Sequence, residues 1–97
     1  MLKIKQLVND KNNWAVNQIV VETNKYIFFQ SYEAIIARYN KENGEIVLSK
    51  DWEYSKTTRK HLYIFLRDYT SHSVYSYNDV RNNIKNKVFN TKKSLKY

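Results

Sequence analysis

The chain has no cysteine, no proline, one glycine and one methionine. Without cysteine there is no disulfide framework, no thiolate nucleophile and no zinc site of the cysteine type. The two histidines, His61 and His72, are eleven positions apart and lack the short spacing of a metal pair. A single glycine leaves no glycine-rich phosphate loop or dinucleotide fingerprint, and no Ser-His-Asp spacing stands in their place. Long apolar runs are missing as well. The opening Met1-Leu2-Lys3-Ile4-Lys5 has no stretch fit for a signal peptide, and no segment approaches a membrane span. The expectation is therefore a cytoplasmic, non-enzymatic protein with no metal, no cofactor and no membrane partner.

What is present is enough for a core. The 97 residues are 42% apolar and 15% aromatic, which excludes disorder and suits one domain whose interior leans on rings. Lys, Asn, Ile and Tyr are heavily used, the bias an AT-rich coding sequence produces. Charge placement goes beyond that bias. From Met1 to Tyr54 seven basic residues face seven acidic ones; from Ser55 to Tyr97 ten basic residues face Asp68 and Asp79 alone. The whole net charge of +8 thus lies in the second part, whereas codon drift loads both parts alike. A neutral scaffold joined to a basic half points to a polyanionic partner.

The first half reads as strands. Leu2 and Ile4 alternate with lysines, Asn9–Asn13 breaks the pattern, and Val16, Ile19, Val20 and Val21 favour a strand over Trp14–Glu22. Tyr26–Gln30, Ala34–Tyr39 and Glu45–Ser49 follow, with Asn43-Gly44 as a hairpin signal before the last. At Asp51 the period changes. Ser55, Thr57 and Thr58 suit a helix start, and Thr58, Leu62, Phe65, Leu66 and Tyr69 form one buried stripe. After a hydroxyl-rich connection over Thr70–Ser76, a second helix begins near Tyr77 or Asn78, with Tyr77, Val80, Ile84 and Val88 as its apolar stripe. The expected architecture is α+β: an antiparallel meander of three to five strands followed by two C-terminal helices packed on one face. Residues 1–90 form the domain and 91–97 a frayed basic tail.

On the first helix Lys56, Arg59, Lys60, Tyr63 and Arg67 fall within about 100° of arc, beside the apolar stripe and outside it. Cations around a tyrosine neutralise phosphates while the ring stacks on a base, and the helix N-terminus adds backbone donors. The plain alternatives are a solvated face or a surface for an acidic protein. Arg81, Lys85 and Lys92 share one side of the second helix, with Lys93 beyond, and extend the same footprint along a phosphate backbone. Asn82, Asn83 and Asn86 opposite them make a poor lipid-inserting face. Asp51 and Glu53 alternate on an extended stretch like paired carboxylates of a metal nuclease, but the lysine two residues later is missing. His61, at the edge of the buried arc, reads as a hydrogen-bonded structural residue. The rings of Tyr26–Tyr32 read as core, because the strand order and glycine-bearing motif of an RNA-recognition sheet are absent.

Several blocks also form a family-like pattern: Tyr26-x-Phe28-Phe29-Gln30-Ser31-Tyr32, Ile36-Ala37-x-Tyr39, Val47-Leu48-Ser49 and Trp52-x-Tyr54-Ser55-x-Thr57-Thr58-x-Lys60-His61-Leu62-x-x-Phe65-Leu66. Over Tyr26–Leu66 the chain resembles a family of small uncharacterised proteins from phages, prophages and conjugative elements of Gram-positive bacteria. The resemblance implies an accessory gene of a mobile element and assigns no residue a role. In that setting the partner is nucleic acid, or a host or defence protein that the chain inhibits. Mimicry of DNA is excluded by the +8 charge; a basic inhibitor would dock on an acidic patch or compete for a guide RNA.

Overall fold

The computed structural model describes residues 2–97. Polar turns separate β-branched and aromatic runs, and the runs become β1 (Lys3–Val8), β2 (Trp14–Glu22), β3 (Tyr26–Ser31), β4 (Ala34–Asn40) and β5 (Ile46–Ser49). A 3₁₀ turn (Lys50–Glu53), α1 (Lys56–Thr70), α2 (Tyr77–Lys85) and β6 (Phe89–Lys92) follow. One sheet holds all six strands in sequence order. The first five form the antiparallel meander expected, and β6 returns parallel to β5 with Ile46 beside Phe89 and Ser49 beside Lys92. Gly44 takes φ +76° in the β4–β5 hairpin, the left-handed conformation a glycine adopts without steric cost.

Register explains the two faces. Val20, Phe29, Ala37 and Leu48 are neighbours across β2 to β5, and all four are buried in the main core. A bulge opposite Phe29 and Gln30 lets the consecutive Ile36 and Ala37 both join that core. The helices cover this face. Phe65 of α1 stacks on Phe29 with ring centroids 5.6 Å apart, and Leu62 and Leu66 are buried in the same cluster. Burying each such side chain contributes about 1.5–3 kcal/mol. Ile64, outside the expected stripe, is buried as well, because Val74 and Val80 belong to the same cluster and close the other side of the helix.

The opposite row, Val21, Phe28, Arg38 and Val47, faces away from the helices. Here the C-terminus differs from expectation. Asn90, Thr91 and Lys92 are strand residues, Leu95 is buried, and the ring of Tyr97 meets Phe28 edge-on at 4.9 Å with its hydroxyl on Gln30. Thr91 and Lys92 are therefore held in the sheet and Leu95 and Tyr97 make contacts, while Lys93, Ser94 and Lys96 are exposed. Leu95 and Tyr97 cover apolar surface that the helices, committed to the first face, leave open. The second helix is also shorter than its apolar spacing suggested: it stops at Lys85, and Lys87 at φ 61° turns the chain toward buried Phe89.

Candidate nucleic-acid interface

The start of α1 is tied down by hydroxyls. Ser55 is the N-cap: its Oγ accepts from the Thr58 N–H at 3.1 Å and donates to Thr58 Oγ1 at 3.0 Å. Thr58 Oγ1 in turn meets Ser31 Oγ, at the end of β3, at 3.0 Å. This chain fixes the rotation of the helix, so the face opposite the core points outward. Lys56, Arg59, Lys60, Tyr63 and Arg67 line one groove of about 410 Å³, together with Asp10, Tyr75 and Tyr77. The five residues singled out on this helix thus share one concave surface. Tyr75 and Tyr77 were not read as ring partners for it: they belong to a connection recognisable from its hydroxyls only as a linker and helix start. The signal was their exposure, which no spacing rule gives.

The cations divide into two kinds. Arg67 Nη1 donates to the Val74 carbonyl at 2.8 Å and Nη2 to Asp10 Oδ1 at 3.2 Å, with the guanidinium 4.5 Å from the Tyr75 ring centre. Arg59 Nη1 donates to the Glu53 carbonyl at 3.1 Å and lies 5.8 Å from the Tyr77 ring centre. Tyr77 stacks on Trp52 at 5.3 Å and donates its hydroxyl to Glu53 Oε2 at 2.8 Å. Both arginines build the walls of the groove while lending it charge. Lys56 and Lys60 take part in no ion pair among the described residues, so their ammonium groups remain available to a polyanion. Burial raises the Tyr63 hydroxyl above its ordinary value of 10.0, against the opposing pull of Arg59. Its ring is therefore neutral in the physiological range and adds no negative charge to the surface.

The remaining predicted cations are spread more widely. Arg81 lies 5.9 Å from the ring centre of Tyr77, which lines the groove, but does not line it itself. Lys85 is exposed at the end of α2. Lys92 does not share the helix with Arg81 and Lys85, as its spacing suggested. The helix has ended, and Lys92 pairs beside Ser49 on the edge strand β6 with Lys93 following. Neither Lys85, Lys92 nor Lys93 reaches the groove. Asp51 and Glu53 lie in the 3₁₀ turn, not on an extended stretch. His61 Nδ1 donates to the Thr57 carbonyl at 2.8 Å. No cluster of three metal-ligating side chains occurs among the described residues, and no helix there is long and apolar enough to cross a membrane.

A second concavity, of about 570 Å³, lies on the other flank of the first turn of α1. Its walls come from the β3–β4 turn and the α1 start, including Tyr32, Glu33, Asp51, Tyr54, Ser55 and Thr57. Ser55 and Thr57 line this cavity while Lys56 between them lines the groove. Tyr32 and Tyr54 are 55% and 85% exposed, so the expectation that the rings of Tyr26–Tyr32 are core fails at Tyr32.

A family model, described as a family of unknown function (DUF8033), matches residues 2–83, and the chain belongs to that family. The matched span contains the whole groove and cavity and ends before Lys85, Lys92 and Lys93. No curated protein and no solved structure matches the chain.

Proposed function

We propose that this is a non-enzymatic accessory protein of a phage or other mobile element that binds nucleic acid through the α1 groove. The observation that carries the reading is the gathering of Lys56, Arg59, Lys60, Tyr63 and Arg67 with Tyr75 and Tyr77 on one concave surface. Ammonium groups displace counterions from phosphates, and the rings offer flat faces to bases or sugars. Lys56 and Lys60 carry the phosphate contacts, Tyr63 stacks, and Arg59 and Arg67 hold the walls. Arg81, Lys85, Lys92 and Lys93 add longer-range attraction. The mobile-element setting rests on the resemblance of the central blocks.

The test is an oligonucleotide-binding measurement on the Lys56→Glu/Lys60→Glu variant. Affinity at low salt is expected to fall by at least about tenfold, since two phosphate contacts become repulsions. The unfolding midpoint should stay near that of the parent, because neither lysine has an ion-pair partner to lose among the described residues. Undiminished binding refutes the proposal.

One observation favours a second reading, a protein-binding inhibitor of a host or defence enzyme. Leu2, Ile4, Trp14 and Val16 are all more than 60% exposed on or beside the edge hairpin β1–β2, the kind of apolar surface that docks proteins. That reading predicts no retention of DNA or RNA in moderate salt, and co-purification with one host protein that survives nuclease treatment.

A further inference from the structure

Resting on the groove as a phosphate-binding surface, we infer that the cavity across the first turn of α1 receives an unpaired, amino-bearing base, so that the ligand is single-stranded DNA or RNA. The argument begins with continuity. Lys56 belongs to the groove, and its chain neighbours Ser55 and Thr57 belong to the cavity. A strand whose phosphates follow Lys60 and Lys56 therefore brings a base over the helix start. A base held in a duplex has its Watson–Crick edge occupied and its faces stacked, whereas a single strand turns its bases outward at little cost.

The cavity has the make-up such a base requires. Its lining is mainly apolar, and the Tyr32 and Tyr54 rings stand at its mouth. Tyr32 holds φ 56°, a left-handed conformation that is unusual for a bulky residue and that glycine or asparagine would occupy with less strain. The two-residue turn between Ser31 and Ala34 asks for that conformation, but it does not ask for an exposed ring. The charged groups of the wall, beside several hydroxyls, are the carboxylates Glu33 and Asp51, and neither is in an ion pair among the described residues. Carboxylates repel phosphate, which keeps the backbone on the lysine side. They accept hydrogen bonds from exocyclic amino groups, which selects cytosine, adenine or guanine over thymine or uracil.

The experiment measures anisotropy of labelled 12-mers of DNA and RNA, single-stranded and duplex, with the full chain and the Tyr54→Ala, Tyr54→Phe and Tyr32→Gly variants. Single strands are expected to bind more tightly than duplexes, and oligo-C or oligo-A more tightly than oligo-T or oligo-U. Tyr54→Ala and Tyr32→Gly should each weaken single-strand binding by about 5- to 150-fold, the range for one lost base–ring stack, while duplex binding stays the same. Tyr54→Phe should restore affinity. Tyr32→Gly should unfold no earlier than the parent, because glycine adopts the required φ freely, so any loss of binding is not a loss of fold. If oligonucleotides bind but the tyrosine variants change neither form, or change both equally, the cavity has no such role and the groove reading survives. If no oligonucleotide binds, both readings fall.

Discussion

The two faces of α1 do different work with residues drawn from the same helical turns. Leu62, Phe65 and Leu66 point inward and are fully buried. Lys56, Lys60 and Tyr63, interleaved with them, point into an open groove. The inward face is bound to stability because every atom there has packed neighbours. The outward lysines are exposed and form no ion pair among the described residues, so their contribution to folding is small and their ammonium groups are available to a ligand. Arg67 belongs to both categories: it is a cation of the groove whose donors complete the backbone of the following loop. This separation gives each face its own readout.

The largest expected effect lies on the inward face. Phe65→Ala removes the ring stacked between Phe29 and Tyr69 and should cost about 3–5 kcal/mol by chemical denaturation, enough to unfold a marginal domain. A cost below 1 kcal/mol would mean that α1 is not docked on the sheet as described. Arg67→Gln comes next. It strips a charged donor from the Val74 carbonyl and should cost about 1–3 kcal/mol, with a fall in oligonucleotide affinity as well. A change in only one of these readouts would place Arg67 on a single side of the division.

Leu95→Ala probes the opposite face of the sheet, where the C-terminal residues cover Phe28, and should cost about 2 kcal/mol with affinity unchanged. Lost affinity would mean that the last residues reach the ligand. The smallest effect concerns Glu22, whose carboxyl is held below its ordinary value of 4.5 chiefly by the hydrogen bond from Lys41 at 2.9 Å. A depressed folded-state value contributes stability above the unfolded value and loses it as the pH falls through 4.5 and below. Because the pair is partly exposed, this is worth less than about 1 kcal/mol. Lys41→Met should flatten the acid branch of the unfolding curve without touching the binding curve.

Much of the fold was legible because local rules and tertiary packing agree here. The β-branched run of β2, the Asn43-Gly44 hairpin and the Ser55 cap each specify their element from a few residues. The first helix and its outward cations followed from periodicity alone. Other features depended on partners distant in sequence. Phe89 and Lys92 form a strand because β5 offers a free edge, and Leu95 and Tyr97 pack because the outer row around Phe28 needs cover; a short polar segment carries neither message. The spacing of Lys92 after Lys85 suggested one helix, but the left-handed Lys87 breaks it. The roles of Arg59 and Arg67 as wall supports depend on carbonyls of Glu53 and Val74, and helical spacing is blind to these. Tyr32 and Tyr54 read as members of a family-like pattern, and only the folded chain places them at one cavity.

The central claim is that the outward face of α1 neutralises phosphates, and its most direct test is the salt dependence of oligonucleotide affinity for the parent and for Lys56→Gln/Lys60→Gln. The account predicts a steep linear fall of log affinity with log salt concentration. In the double variant the slope should be shallower by about 1.4 for single strands, or about 1.8 for duplex, as two phosphate contacts are lost. Equal slopes for the two proteins, whatever their affinities, would contradict it.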